Sequence, residues 1–247
     1  MNRYLSIINT RTVFALAISV LVSFITLRYE FQYNYDLALI SIAIIFPLVF
    51  TIRSAFRRRE KALEFLSLFK AGLITVNNSF QENKKLDPAK KLEIKNIIVN
   101  VSAFLVDYLG THNRSREEVL TETGKVFAFI QTNSDSLGKG VVLKILRFMR
   151  DVHLGVENVI AINQHRTPIA IRAYCLIFIY IYPVIYTPAL INRLFDGRAT
   201  SEAWIVYALS AVSTFILISL YNVQEQMENP FDQKGLDDIR LSNYKIE

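Results

Sequence analysis

The sequence predicts an all-α, polytopic membrane protein with four transmembrane helices and a cytoplasmic helical bundle. Three observations carry that prediction. Uncharged apolar residues gather into four runs, charged residues fill the segments between them, and the long middle segment carries helix-start signals and helically spaced apolar residues. The chain has 247 residues, 52% hydrophobic and 20% charged. Those averages lie close to a soluble domain's about 45–50% and about 25%. Their distribution does not, and it excludes a soluble enzyme built around one ordinary core. With 17 Phe and 12 Tyr, the chain is also far too aromatic to be disordered. The lone Cys175 excludes an internal disulfide framework and a cysteine-based zinc site.

The four runs are residues 12–27 and 37–52, of 16 each, residues 173–192, of 20, and residues 203–224, of 22. A helix crossing a hydrocarbon core of about 30 Å needs about 20 residues. The last two runs meet this directly. The first two cover only about 24 Å, and Tyr29, Phe31, Tyr33 and Tyr35 between them carry the helices into the interface as an aromatic belt. The first run, with Arg3 and Arg11 near its start, has the outline of a secretion signal. It lacks a small-x-small site before Arg28 and is long for a signal's apolar core, so it reads as a span. Backbone polar groups in lipid must be satisfied internally, which makes all four runs helices. Pro47 in the second span, and Pro183 and Pro188 in the third, predict kinks or breaks.

Orientation follows from the basic residues. The loop after the first span carries only Arg28, and the loop after the third carries Arg193 and Arg198. The segment from Arg53 to Arg172 holds 20 Lys/Arg against 12 Asp/Glu, and four of its arginines fall within seven residues of a span end. The positive-inside rule therefore puts the middle segment and both termini in the cytoplasm, with two short external loops. The expected organisation is residues 1–53 (N-terminal segment and first two spans), 54–167 (cytoplasmic helical region), 168–224 (last two spans) and 225–247 (cytoplasmic tail). A cell inner or plasma membrane, or an organellar one, is the expected location.

The middle segment reads as helical throughout. Residues 54–80 continue the second span. Asp87-Pro88 is an N-cap with proline at the first helical position, opening a helix that runs to Gly110. Ser115-Arg116-Glu117-Glu118 is a capping box. Gly138 and Gly140 punctuate, and a last helix is expected over about residues 141–163, with Leu143, Ile145, Leu146, Met149 and Val152 on one side.

Enzyme signatures are missing: the chain has no phosphate-binding loop, dinucleotide fingerprint, nucleophile elbow or HExxH. His112, His153 and His165 are scattered without ligand spacing. Asn77, Asn100 and Asn113 begin glycosylation sequons, but within the segment expected in the cytoplasm. The basic clusters adjoin a span, so topology and anionic headgroups explain them better than nucleic acid does. No run contains a charge, which argues against a membrane-embedded enzyme and against a proton-coupled transporter.

Three stretches in order resemble the bestrophin superfamily of anion channels, including its bacterial members. They are Ser54-Ala55-Phe56 followed by Arg58; Thr167-Pro168 with Glu157 upstream; and Glu228-Asn229-Pro230-Phe231 followed by Asp237-Asp238. Only about twenty residues carry the resemblance, and none of the motifs is specific alone. There are departures as well. Arg59 and Glu60 stand where the family usually has a tryptophan pair, and Asp232 stands where it has glycine after Pro-Phe. The resemblance implies passive, chloride-like anion conduction through a homo-oligomer, a pentamer, with no catalysis and no cofactor. In animal members the acidic stretch belongs to a calcium clasp, which makes Asp232, Asp237 and Asp238 the candidate metal residues. Calcium takes six to eight oxygens, and here the stretch is interrupted by Gln233, Lys234, Gly235 and Leu236. A solvated acidic cluster or a subunit-contact salt-bridge site is the alternative.

Ile42, Phe46 and Phe50 in the second span are four apart and share a helix face. Aligning Arg58 with the family arginine puts them on the family's pore neck. Arg53, Arg57, Arg58 and Arg59 would then concentrate anions beneath it. Packing against lipid or another helix would equally account for the apolar face, and topology alone for the arginines. The rival reading is a non-conducting membrane scaffold or signalling adaptor whose cytoplasmic bundle binds a partner.

Overall fold

A computed structural model describes residues 7–111, 113–195, 203–235 and 237–247. Arg3, His112, Arg198 and Leu236, named above, lie outside the described residues. Eight helices follow in order: α1 (Thr10–Arg28), α2 (Ala38–Gln81), α3 (Pro88–Gly110), α4 (Arg116–Thr132), α5 (Ser134–Leu137), α6 (Lys139–Gln164), α7 (Ile169–Phe195) and α8 (Ala203–Met227). A 3-10 turn at Leu241–Tyr244 closes the chain, and the described residues contain no strand. Four helices, α1, α2, α7 and α8, are long and apolar enough to cross a membrane.

The chain forms two compact units, one within Met1–Phe56 and Thr167–Glu228, the other within Arg57–Arg166 and Asn229–Glu247. In the first, α1, α7 and α8 touch one another. The core of this unit includes Ala15 of α1, Ile44 and Leu48 of α2, Cys175 and Ile179 of α7, and Ile218 of α8. A chain of hydroxyls runs among these helices: Ser19 Oγ and Thr187 Oγ1 each lie 2.9 Å from Ser210 Oγ. The Asn222 amide nitrogen reaches the Ile7 carbonyl oxygen at 2.8 Å and Thr12 Oγ1 at 2.9 Å.

The prolines do not interrupt the helices as expected. Pro47 lies inside α2, and Pro183 and Pro188 lie inside α7, each helix continuous across them. At Pro47 a physical reason is visible. Proline removes the bond to the carbonyl four residues back, and that carbonyl, on Ala43, accepts from the Tyr174 hydroxyl at 3.4 Å. On α7 the Tyr33 hydroxyl donates to the carbonyl of Ile185, between the two prolines, at 2.6 Å.

The second unit is a bundle around one apolar core. The last part of α2 buries Ala62, Leu66, Phe69, Leu73, Val76 and Phe80, spaced by four and three along one face. Asp87 caps α3, its carboxylate accepting from the Ala89 amide at 3.1 Å. The capping box on α4 forms in both directions, between Ser115 Oγ and the Glu118 amide (3.1 Å) and between the Glu118 carboxylate and the Ser115 amide (2.7 Å). The Ser115 amide, helped by Arg114, holds the Glu118 carboxyl below its usual range. Gly155 on α6 lets α2 approach, since a Cβ there would lie 2.7 Å from the Phe69 Cβ.

Two expectations for α6 are corrected. Only Gly138 punctuates, with φ of 81°, while Gly140 lies in the first turn of α6. Ile145, Met149 and Val152 are buried together, but Leu143 and Leu146 are exposed, at 63% and 37%. The buried stripe continues through Val156 and Val159 instead, because a 3.6-residue repeat carries Leu143 away from it. The tail contributes to this core: Phe231, Ile239 and Leu241 are buried in it.

Candidate functional site

The face of α2 opposite its buried side carries the candidate neck. Ile44, Leu48, Thr51 and Ala55 turn inward. At about 100° per residue, Ile42, Phe46 and Phe50 fall on the far side. They are 53%, 58% and 58% exposed. The Phe46 and Phe50 rings are neighbours, 5.6 Å between centroids and inclined at 60°. Other spans also expose apolar residues, such as Phe14 on α1 and Trp204 on α8. The α2 face is set apart by its continuation toward the arginines. Three and seven residues beyond Phe50 come Arg53 and Arg57, both exposed and without an ion-pair partner among the described residues.

The four arginines therefore separate into two pairs. Arg58 donates to the backbone carbonyls of His165 and of Ile162, the latter at 2.7 Å. These are carbonyls at the end of α6, which lack helical partners, so the guanidinium caps that helix. Arg59 Nε donates to the Asp237 carbonyl at 2.6 Å and ties α2 to the tail.

The motifs that carry the resemblance meet in part. The Glu228 carboxylate, 1% exposed, accepts from the Thr167 amide at 2.6 Å, the Thr167 hydroxyl at 3.1 Å and Gln224 Nε2 at 3.1 Å. A buried carboxylate with three donors is satisfied without a counter-ion. It locks the start of α7 to the end of α8. Sequence reasoning missed Gln224, whose helical spacing of four from Glu228 was the available signal. Glu157 instead pairs with Arg116 at 2.9 Å, on the surface of the bundle.

The acidic stretch comes together only partly. The side chains of Asp232 and Asp238 are hydrogen-bonded to each other, while Asp237 is exposed. Asp232 accepts from the Lys234 amide at 3.1 Å and Asp238 from the Gly235 amide at 3.0 Å. Burial, with the adjoining Asp232 carboxyl, pushes the Asp238 carboxyl up to about 6. No group of three or more His, Cys, Asp or Glu among the described residues is placed to hold a metal. Two carboxyls that share a hydrogen bond fall short of the oxygens calcium takes, so they do not fit that ion. His153 lies against Phe127, 5.1 Å between ring centroids, and burial lowers its pKa.

The chain is thus a polytopic helical membrane protein, and its fold is bestrophin-like. Over 95% of its length it matches a bacterial bestrophin homologue from Klebsiella pneumoniae with one tryptophan changed to alanine, covering 93% of that chain, with a TM-score of 0.80 and 15% identity. A variant of the same homologue with one leucine changed to threonine matches with a TM-score of 0.77 at 15% identity, covering 95% of each chain. A structure described as a membrane protein with one proline changed to alanine matches at 0.77 and 15% identity, covering 96% of this chain and 95% of the other. No protein-family model and no curated protein matches the sequence.

Proposed function

We propose that the protein is a passive, chloride-like anion channel formed by a homo-oligomer, with five subunits as the resemblance implies. The observation that carries this reading is the outward face of α2, where Ile42, Phe46 and Phe50 are followed by Arg53 and Arg57, exposed and without an ion-pair partner among the described residues. Four spans in one subunit are too few to enclose a wide pathway, so the pathway lies between copies. Copies sharing this face around an axis stack three apolar rings. Such a constriction gates by dewetting. Aromatic ring edges carry partial positive charge, which favours an anion without a fixed countercharge that would hold it. Arg53 and Arg57 raise the local anion concentration at one end of the neck. Arg58 and Arg59, committed to backbone carbonyls, hold the bundle together instead. The bundle and both termini face the cytoplasm, on the side of the basic residues, in a cell inner or plasma membrane.

Chloride flux from liposomes containing the full-length protein tests this. Phe46→Ala together with Phe50→Ala should raise chloride flux by widening the constriction. Unchanged flux in the double variant would remove these residues from the pathway. A wild-type protein that passes neither chloride nor any other ion is the non-conducting scaffold or adaptor.

A further inference from the structure

The bundle has a cleft of about 440 Å³ between the end of α2 and the start of α6. Asn83 builds it. Its Nδ2 donates to the Leu137 carbonyl at 3.3 Å, and its Oδ1 accepts from the Lys85 amide at 2.8 Å. One side chain thus joins the two walls and fixes the backbone at Lys85. On the opposite wall Leu137, at the end of α5, and Val141 and Lys144, three apart on α6, line the cleft.

Three lysines line this space: Lys84, Lys85 and Lys144. All are exposed. Among the described residues none has a carboxylate within ion-pair distance, whereas Lys61, Lys90, Lys125 and Lys245 are each paired. Glu82 is the single carboxylate on the walls, leaving three positive charges against one negative. Like charges gathered around a cleft focus a positive potential into it.

We infer that this cleft is an anion site that takes a small, multiply charged phosphate compound of the diphosphate type. A single chloride would leave most of the lysine charge uncompensated. A diphosphate brings several charges and enough oxygens to engage lysines from both walls, and lysine binds phosphate well as a point charge. The same phosphate chemistry is displayed by monoester lipid headgroups, and the experiment separates the two sources.

Full-length protein in nanodiscs of neutral lipid is titrated with inorganic pyrophosphate by calorimetry. Saturable binding is expected. Lys84→Ala with Lys144→Ala should weaken it by about tenfold or more, as loss of charge-assisted hydrogen bonds implies. Lys61→Ala with Lys90→Ala, which removes two paired surface lysines, should leave it unchanged. Circular dichroism checks that both double variants keep their helix content. Absence of pyrophosphate binding, or binding indifferent to Lys84 and Lys144, overturns the site. In a parallel arm, the protein in detergent is mixed with phosphatidic acid vesicles. Binding confined to those vesicles and dependent on Lys84 and Lys144 overturns the soluble ligand in favour of a lipid headgroup. None of these readouts uses ion flux, so their failure and failure of the channel reading are distinct.

Discussion

Ser19 and Phe69 are both fully buried, yet they hold their respective units by different means. The buried face of α1 is Thr12, Ala15, Ser19, Ser23 and Thr26, while Val13, Phe14, Leu21 and Phe24 point outward. In the bundle the order is reversed: leucines, phenylalanines and isoleucines fill the interior. Lipid tails are as apolar as leucine, so burying leucine between membrane helices yields little. Small hydroxyl residues let helices approach and bond to one another instead. In water, burying apolar area is itself the driving force, at about 25 cal/mol per Å². The comparison teaches that helices of the same kind can bury a small, hydroxyl-bearing face, as α1 does, or a large apolar one, as α2 does in the bundle.

The largest test of this contrast is Phe69→Ala. The ring is fully buried against α6, and its loss should destabilise the bundle by about 3–5 kcal/mol, seen as lost amide protection in α2 and α6 by hydrogen exchange. A cost below about 1 kcal/mol would mean the core is not what holds the bundle. A smaller effect is expected for Ser210→Ala in the membrane unit. It removes the hydroxyl that Ser19 and Thr187 share, at about 0.6 kcal/mol, measured by reversible unfolding in detergent. A loss as large as that of Phe69→Ala would break the comparison.

A dependence on pH sharpens it at the tail, where a polar pair sits beside the apolar core. Asp238 has a raised pKa of about 6, above an unfolded value of about 3.9. The folded tail therefore binds its proton more tightly. The stability this contributes is fully present below about pH 4 and is lost as pH rises through about 6. Amide protection of Gly235 and Ile239, corrected for intrinsic exchange, should be higher at pH 5 than at pH 7.5. Asp238→Asn should flatten the difference, and a persisting pH dependence in that variant would assign it to another group.

Much of the secondary structure was legible in the sequence, and less of the packing. The four apolar runs, the Asp87-Pro88 start and the Ser115–Glu118 box read correctly because each is a local signal within a few residues. Leu143 and Leu146 were misplaced on α6 because a run dense in apolar residues admits more than one stripe. The continuity of α2 across Pro47 is not legible locally, because the compensation at Ala43 comes from Tyr174, 131 residues away. Of the candidate site, the shared face of Ile42, Phe46 and Phe50 followed from spacing alone, but its direction did not.

By itself the sequence determined the longer helical segments in outline and the four that suit a bilayer, since periodicity, capping and hydropathy act over one or two turns. Only the tertiary structure decided that Phe46 and Phe50 turn away from the core of their own unit. It alone decided that Arg58 and Arg59 are bound to backbone while Arg53 and Arg57 lack an ion-pair partner among the described residues, and that Glu228 closes on Thr167. The reason is that a side chain's partner is chosen by packing among segments distant in the chain, and no local pattern encodes that choice.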